Sequence, residues 1–330
     1  MNEKVYQSLK SAETEDWLDY HAIRPLSYYV ARCFNCFDIH PNTVTILSMI
    51  IGAGSCLLFA HGCYYYEGWQ GLYYNIAAIL LLIIADILDC TDGQLARMTG
   101  KKSRLGRILD GMAGFVWFIP IYLAIVWRFW CHHDLEFSFL GISDTPQNAL
   151  IATAVVLVMA TFSGFLGMGG QQRLADYYIQ VHLFFLKGEK DSELDNFTRQ
   201  QELLRQMPAN TPFYERLFQK LYVDYTLRQE QATPQFQHLM SLLAQRYGSP
   251  SNMPETLREE LHRESLALMK WNGLLTFNFR SAFFFLFCLL DIPVMNFFFE
   301  IIAMSLLTHY INHRHEAFCR RTAFKLSMGY

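Results

Sequence analysis

Six apolar runs, near residues 43–61, 72–91, 108–128, 149–170, 272–291 and 293–311, constrain this 330-residue chain more than any other feature. Each approaches the roughly 20 residues that a helix needs to cross a hydrocarbon layer about 30 Å thick. In such a layer backbone N–H and C=O groups find no water, so a single segment crosses as a helix. Hydrophobic residues make up 52% of the chain and charged residues 17%, and the apolar ones are clustered instead of being spread at amphipathic spacing. That excludes a pair of ordinary soluble domains. A net charge of −3 with no concentrated basic face excludes a nucleic-acid partner.

The expected fold is therefore all-α: a polytopic membrane protein with about six transmembrane helices, five being the lower count because the last two runs are barely separated around Asp291 and Pro293. Four regions follow. Residues 1–40 hold an interfacial helix, since Trp17, Leu18, Tyr20, Ile23, Leu26, Tyr29, Val30 and Phe34 alternate with Arg24 and Arg32. Residues 41–170 hold the first four spans, with Asn42 and Thr43 after Pro41 expected to cap the first. Residues 171–271 are charged and glutamine-rich, a helical cytoplasmic insert of three or four short helices started near Pro212, Pro234 and Pro254 and stopped at Gly248-Ser249-Pro250. This insert reads as a substrate lid, a dimer contact or a packed appendage. Residues 272–330 hold the last two spans and a cytoplasmic tail.

Orientation follows from lysine and arginine, which are retained on the cytoplasmic side. Arg97, Lys101, Lys102, Arg104 and Arg107 follow the second span, and Arg314, Arg320, Arg321 and Lys325 lie in the tail, whereas the loops 62–71 and 129–147 have no lysine or arginine. Six spans then put both termini in the cytoplasm, in a bacterial-type inner membrane. The N-terminus lacks the apolar core of a secretory signal. Cys33 and Cys36 form a lone CxxC, short of the four ligands of a structural zinc site, so the cysteines read as packing residues. His309, His313 and His315 read as interface residues at a helix end rather than as a second metal site.

The second run ends IIADILDCTDGQLARMTG, and Asp86, Asp89 and Asp92 are spaced to fall along one side of a helix. An ionised side chain inside a bilayer costs about 2–3 kcal/mol, so such a cluster faces a cavity and has a partner. Carboxylate oxygens select a hard cation, Mg2+ or Mn2+. Gly93 and Ala96 leave room for a ligand, Arg97 offers a fixed charge to phosphate, and Gly106 and Asp110 begin the next run at the same membrane face. The alternative, that these aspartates cap helices or pair with nearby basic residues, suits any one of them better than all of them together.

At these residues the chain resembles the CDP-alcohol phosphotransferase (CDP-alcohol phosphatidyltransferase) family, whose signature runs D-x2-D-G-x2-A-R-x8-G-x3-D-x3-D. Asp89, Asp92, Gly93, Ala96, Arg97, Gly106 and Asp110 match it in register, and Pro41, Asn42 and Thr45 match its PN-x-x-T element. The final Asp of the signature is here Gly114. The resemblance implies a metal at Asp89, Asp92 and Asp110, and a nucleotide site of Asp89, Asp92, Gly93, Ala96, Arg97, Gly106 and Thr45. It also implies transfer of a phosphatidyl group from a CDP-linked donor such as CDP-diacylglycerol to an alcohol acceptor, with CMP leaving. Homodimers and contact with membrane lipids belong to the same expectation.

In the family the missing carboxylate helps bind metal and takes the proton of the attacking hydroxyl, so Gly114 touches turnover more than binding. Asp86 is the candidate substitute beside Asp110, a phosphate on the acceptor is another, and a CDP-lipid binder of low activity is a third outcome. Arg173 and Arg280 are read as a pocket for the phosphate of a polyol phosphate such as inositol phosphate. The alternative reaction transfers phosphocholine or phosphoethanolamine from CDP-choline or CDP-ethanolamine to a lipid alcohol.

Overall fold

The structure, a computed structural model, describes residues 11, 13–101, 104–189, 192 and 194–328; the side chains of 104, 105, 107, 108, 110, 135 and 168 lie outside the described residues. Among the described residues, twelve helices of nine residues or more carry the fold: α1 (Arg24–Cys36), α2 (Pro41–Ala60), α3 (Trp69–Thr99), α4 (Arg104–Cys131), α5 (Pro146–Leu166), α6 (Arg173–Lys187), α7 (Phe197–Arg205), α8 (Phe213–Ala232), α9 (Pro234–Tyr247), α10 (Glu255–Asn272), α11 (Phe277–Leu289) and α12 (Ser305–Ser327). No strand occurs among them. Five helices of the described chain are long and apolar enough to cross a membrane: Pro41–Ala60, Trp69–Thr99, Gly111–Cys131, Pro146–Lys187 and Glu255–Leu289. The all-α polytopic fold expected from the apolar runs is thus the one found.

The sixth run, 293–311, is not among these five. Its helix passes through a π segment, Phe299–Met304, that carries the buried Glu300, and Asn296 is buried just before it. The described chain divides into two compact units, Met1–Gly169 with Phe277–Ala303 and Gly170–Thr276 with Met304–Tyr330, and the boundary falls inside that run.

The first unit is built on α2, which packs along both α3 and α4, while α1 lies along α3. Its core joins Phe59, Leu82, Trp117, Ile121, Val156 and Phe284. Small residues let the helices approach. A Cβ on Gly52 would stand 2.4 Å from the Trp117 ring, so only glycine admits that indole against α2. At the end of α11, Asp291 adopts a left-handed backbone (φ 63°) and accepts the backbone N–H groups of Tyr64 (3.1 Å) and Tyr65 (2.6 Å). Arg128, 3% exposed, donates to the same carboxylate and to Asn75 (3.3 Å). Arg128 is a buried charge that the sequence reading passed over.

The second unit packs Tyr177, Phe184, Phe236, Leu239, Leu261 and Phe318 from α6, α9, α10 and α12. Helix α12, expected as a tail, completes this unit. Five helices, α6 to α10, occupy the insert where three or four are expected, because Asn196 starts α7 by accepting from the Arg199 N–H (2.8 Å) with no proline to announce it. The other starts fall as expected: Pro212 and Pro254 precede α8 and α10, Pro234 opens α9, and Gly248 (φ 78°) ends α9. His315 is no interface residue: it is 2% exposed, ringed by Tyr178, Phe236 and Phe318, and burial pushes its pKa below the usual histidine range. The neighbouring Glu316 accepts the backbone N–H groups of Gln235 (2.6 Å) and Phe236 (3.3 Å), which caps the start of α9.

Candidate active site

The site begins at the N-terminus of α2. Pro41 lacks an N–H and has its φ preset for a first helical turn, so the helix starts there, two residues before the expected run at 43. The cap is His40, whose Nδ1 accepts from Asn42 N–H at 3.2 Å; Asn42 and Thr43 lie inside the helix. Thr45 follows one turn later, 2% exposed. Its hydroxyl lies 3.2 Å from the Pro41 carbonyl and donates to Oδ2 of Asp92, itself 5% exposed. A neutral hydroxyl thus holds one oxygen of a buried carboxylate in place.

Asp86, Asp89 and Asp92 all lie on α3, which continues well past the apolar run and stops at Gly100 in a left-handed conformation (φ 69°). Asp86 and Asp89 are half-buried. The charges that act on Asp86 come from the N-terminal segment, namely Asp19, Arg24 and Asp16. Gly93 has a partner the sequence did not foresee: a Cβ there would lie 3.4 Å from a guanidinium nitrogen of Arg97, so Arg97 rests against the bare backbone one turn earlier. Ala96 beside it is half-buried.

On α4, Gly106 is half-buried in the first turn and Asp110 stands one turn further on, its side chain outside the described residues. Gly114 follows after another turn, half-buried, flanked by buried Ala113 and Trp117. Trp117 Nε1 donates to the Ser48 carbonyl at 3.1 Å, and the Ser48 hydroxyl donates to the Thr45 carbonyl at 2.7 Å. A continuous path of contacts therefore ties α4 to the turn of α2 that holds Asp92.

The N-terminal segment is latched over this end of α3 by groups without a sequence signal beyond their polarity in an apolar setting. Gln94 Nε2 donates to the Arg24 carbonyl (3.0 Å), Ser27 donates to the Ile87 carbonyl (3.1 Å), and Thr91 lies 3.4 Å from the Ser27 carbonyl. Arg24 pairs with Glu15 at 3.1 Å, and Asn278 donates to Asp16 at 2.9 Å. Burial and then the neighbouring Asp16 push the Asp19 carboxyl up to about 6.

The two arginines expected at an acceptor phosphate lie on α11 and α6. Arg280 on α11 is 8% exposed and lies 3.7 Å from Glu300, whose other oxygen accepts from Tyr122 (2.8 Å) and Ser163 (2.5 Å). Its charge is matched inside the first unit by a carboxylate instead of being held open for a phosphate. Arg173 opens α6 in the second unit.

Hard, anionic oxygens from Asp89 and Asp92, one turn apart on a single helix, are a donor set suited to a divalent cation. Thr45 takes one of the roughly four lone-pair directions that a carboxylate offers at Asp92.

Residues 38–161 match the CDP-alcohol phosphatidyltransferase family, a segment that holds every signature residue from Thr45 to Gly114. Over 73 residues the chain is 32% identical to a CDP-diacylglycerol--glycerol-3-phosphate 3-phosphatidyltransferase of Cereibacter sphaeroides, a stretch that is 22% of this chain and 30% of that protein. The chain thus spans less than a third of the length of the curated relative it matches. No solved structure matches it.

Proposed function

From a CDP-alcohol phosphatidyltransferase domain at residues 38–161, we propose that this chain transfers a phosphatidyl group from CDP-diacylglycerol to a phosphorylated polyol and releases CMP. The observation that carries this reading is the buried Asp92, braced by Thr45 and set one turn from Asp89, with the Arg97 guanidinium over Gly93 on the same helix. Inositol phosphate and glycerol 3-phosphate belong to the acceptor class, and the second is the substrate printed in the name of the Cereibacter protein. The basic residues that follow α3 in the sequence support a cytoplasmic face for the site, where a lipid donor would enter sideways and a polar acceptor arrive from water.

The acceptor hydroxyl attacks the donor phosphorus; a new P–O bond forms, the P–O bond to CMP breaks, and the electron pair leaves on CMP. Asp89, Asp92 and Asp110 would hold a magnesium or manganese ion, which when bound neutralises the diphosphate and the charge developing on the leaving phosphate. Thr45 keeps Asp92 in one orientation, Arg97 positions phosphate oxygens, and Gly93 keeps the α3 backbone approachable. With Gly114 in the place of a carboxylate, Asp86 is the group we assign to the acceptor's proton, and the acceptor's own phosphate is its competitor.

The test is CMP release from purified protein given CDP-diacylglycerol and, separately, inositol phosphate, glycerol 3-phosphate, serine or no acceptor, with Asp89→Asn as control. Release confined to a phosphorylated polyol and lost in Asp89→Asn is expected. An arm with CDP-choline or CDP-ethanolamine and diacylglycerol tests the aminoalcohol reaction, and activity there alone overturns the phosphatidyl donor. Gly114 favours one second reading, a CDP-lipid binder of low activity. That reading requires magnesium-dependent binding of CDP-diacylglycerol and no CMP with any acceptor.

A further inference from the structure

Helix α8 in the second unit is inverted. Its inward positions are Gln219, Val223, Thr226 and Gln229, all buried, while Phe213 (81% exposed), Leu217 and Leu221 (55% exposed) point outward one turn apart. A helix that covers a soluble core places its apolar stripe on the core, and this one does the reverse. Gln219 accounts for part of the inward face: its Nε2 donates to the Gln200 carbonyl oxygens of backbone (3.2 Å) and side chain (2.8 Å), which holds α7 against α8. Leu203 of α7 and Tyr214 of α8 widen the outward apolar surface.

The charges beside this stripe are basic where the stripe is apolar. Arg216 and Lys220, one turn apart and both exposed, flank Phe213, Leu217 and Leu221, and Arg216 donates to the Pro208 carbonyl at 3.0 Å. Arg199 and Arg205 of α7 are also exposed; the acidic residues of this stretch are Glu202, exposed, and Glu215, half-buried. Beyond Leu221 the pattern ends, since Asp224 and Arg228 pair with each other at 2.7 Å.

We propose that the N-terminal half of α8 docks on an anionic lipid surface, with Phe213, Leu217 and Leu221 in the headgroup layer and Arg216 and Lys220 on lipid phosphates. Basic side chains flanking an apolar stripe, their stems lying along it, are the pattern of an interfacial helix. The five apolar helices keep the unit tethered at a bilayer, so modest affinity suffices at the resulting effective concentration. A second copy of the chain fits less well: a stable protein interface uses about 20–30 residues a side and depletes lysine at its core, and this stripe offers a handful.

Hydrogen exchange of residues 213–222, followed by mass spectrometry on the full chain in nanodiscs, tests the proposal. Exchange about tenfold slower in phosphatidylglycerol-containing discs than in pure phosphatidylcholine is expected from the attraction of Arg216 and Lys220 to the anionic surface. High salt should reverse the difference. Leu217→Gln with Leu221→Gln should abolish protection in both lipids, and Arg216→Gln with Lys220→Gln should abolish the difference between them; all four side chains are exposed, so the fold tolerates the changes. Equal exchange in both lipids overturns the proposal. So does protection that appears only in discs loaded with two copies, which assigns the stripe to a second chain.

Discussion

The Thr45 hydroxyl, one turn into α2, donates to the Asp92 carboxylate on α3, and both side chains are buried. The PN-x-x-T element and the aspartate signature, 47 residues apart, meet in that one bond. Thr45 thereby acts through Asp92. Groups that orient a metal ligand typically contribute about 10–100-fold in metal affinity or activity. Thr45→Val should shift the metal dependence of CMP release upward by about that factor, while Thr45→Ser, which keeps the hydroxyl, should stay near wild type. A Thr45→Val protein with unchanged metal dependence and a raised KM for the CDP donor would assign the hydroxyl to the nucleotide instead.

Gly114 sits one turn after Asp110 on α4, where the family signature has its last carboxylate. Gly114→Asp should raise kcat for CMP release by about 10²-fold or more, since a positioned general base contributes about 10²–10⁴. Asp86→Asn should depress the wild-type rate and have little effect when combined with Gly114→Asp. A wild-type rate that Gly114→Asp leaves untouched would show the proton already has an acceptor.

Arg280 and Glu300 form a buried pair, and removing one partner of such a pair costs about 3–5 kcal/mol. Arg280→Gln should therefore lower the unfolding temperature in detergent by several degrees and leave the acceptor KM within about twofold. The reverse pattern, an acceptor KM raised tenfold with unchanged unfolding temperature, would return Arg280 to the acceptor's phosphate.

Asp19 is held at about 6, above the ordinary aspartate value of 3.8, by burial and by Asp16. Its folded pKa is raised, so the folded state favours the protonated acid; the contribution is most favourable below the unfolded value and declines as pH rises through about 6. Asp19→Asn should raise the unfolding temperature at pH 8 by a few degrees and have little effect at pH 4. A variant that destabilises at pH 8 would mean the ionised carboxylate is used in the native state.

Aspartate spacing alone places Asp86, Asp89 and Asp92 on one helix, and apolar run length alone gives the membrane helices, because both are local properties of period and length. The C-terminal run shows where such local reading stops. Glu300 within it answers Arg280, Tyr122 and Ser163, which are distant in sequence, and no local pattern announces them. Arg97 against Gly93 lies within one turn of helix and was legible in principle, whereas Ser27, Thr91 and Gln94 became a latch only once α1 lay along α3.

The sequence by itself determined the helical class, the membrane setting and the residue types of the acidic site, since hydrocarbon thickness, helical period and carboxylate chemistry are written residue by residue. The tertiary structure decided that Thr45 braces Asp92, that Arg280 spends its charge on Glu300, that α12 completes the second unit, and that α8 turns its apolar stripe outward. Each of these depends on which distant group fills a buried polar partner's place or covers an apolar face, and packing alone supplies that partner.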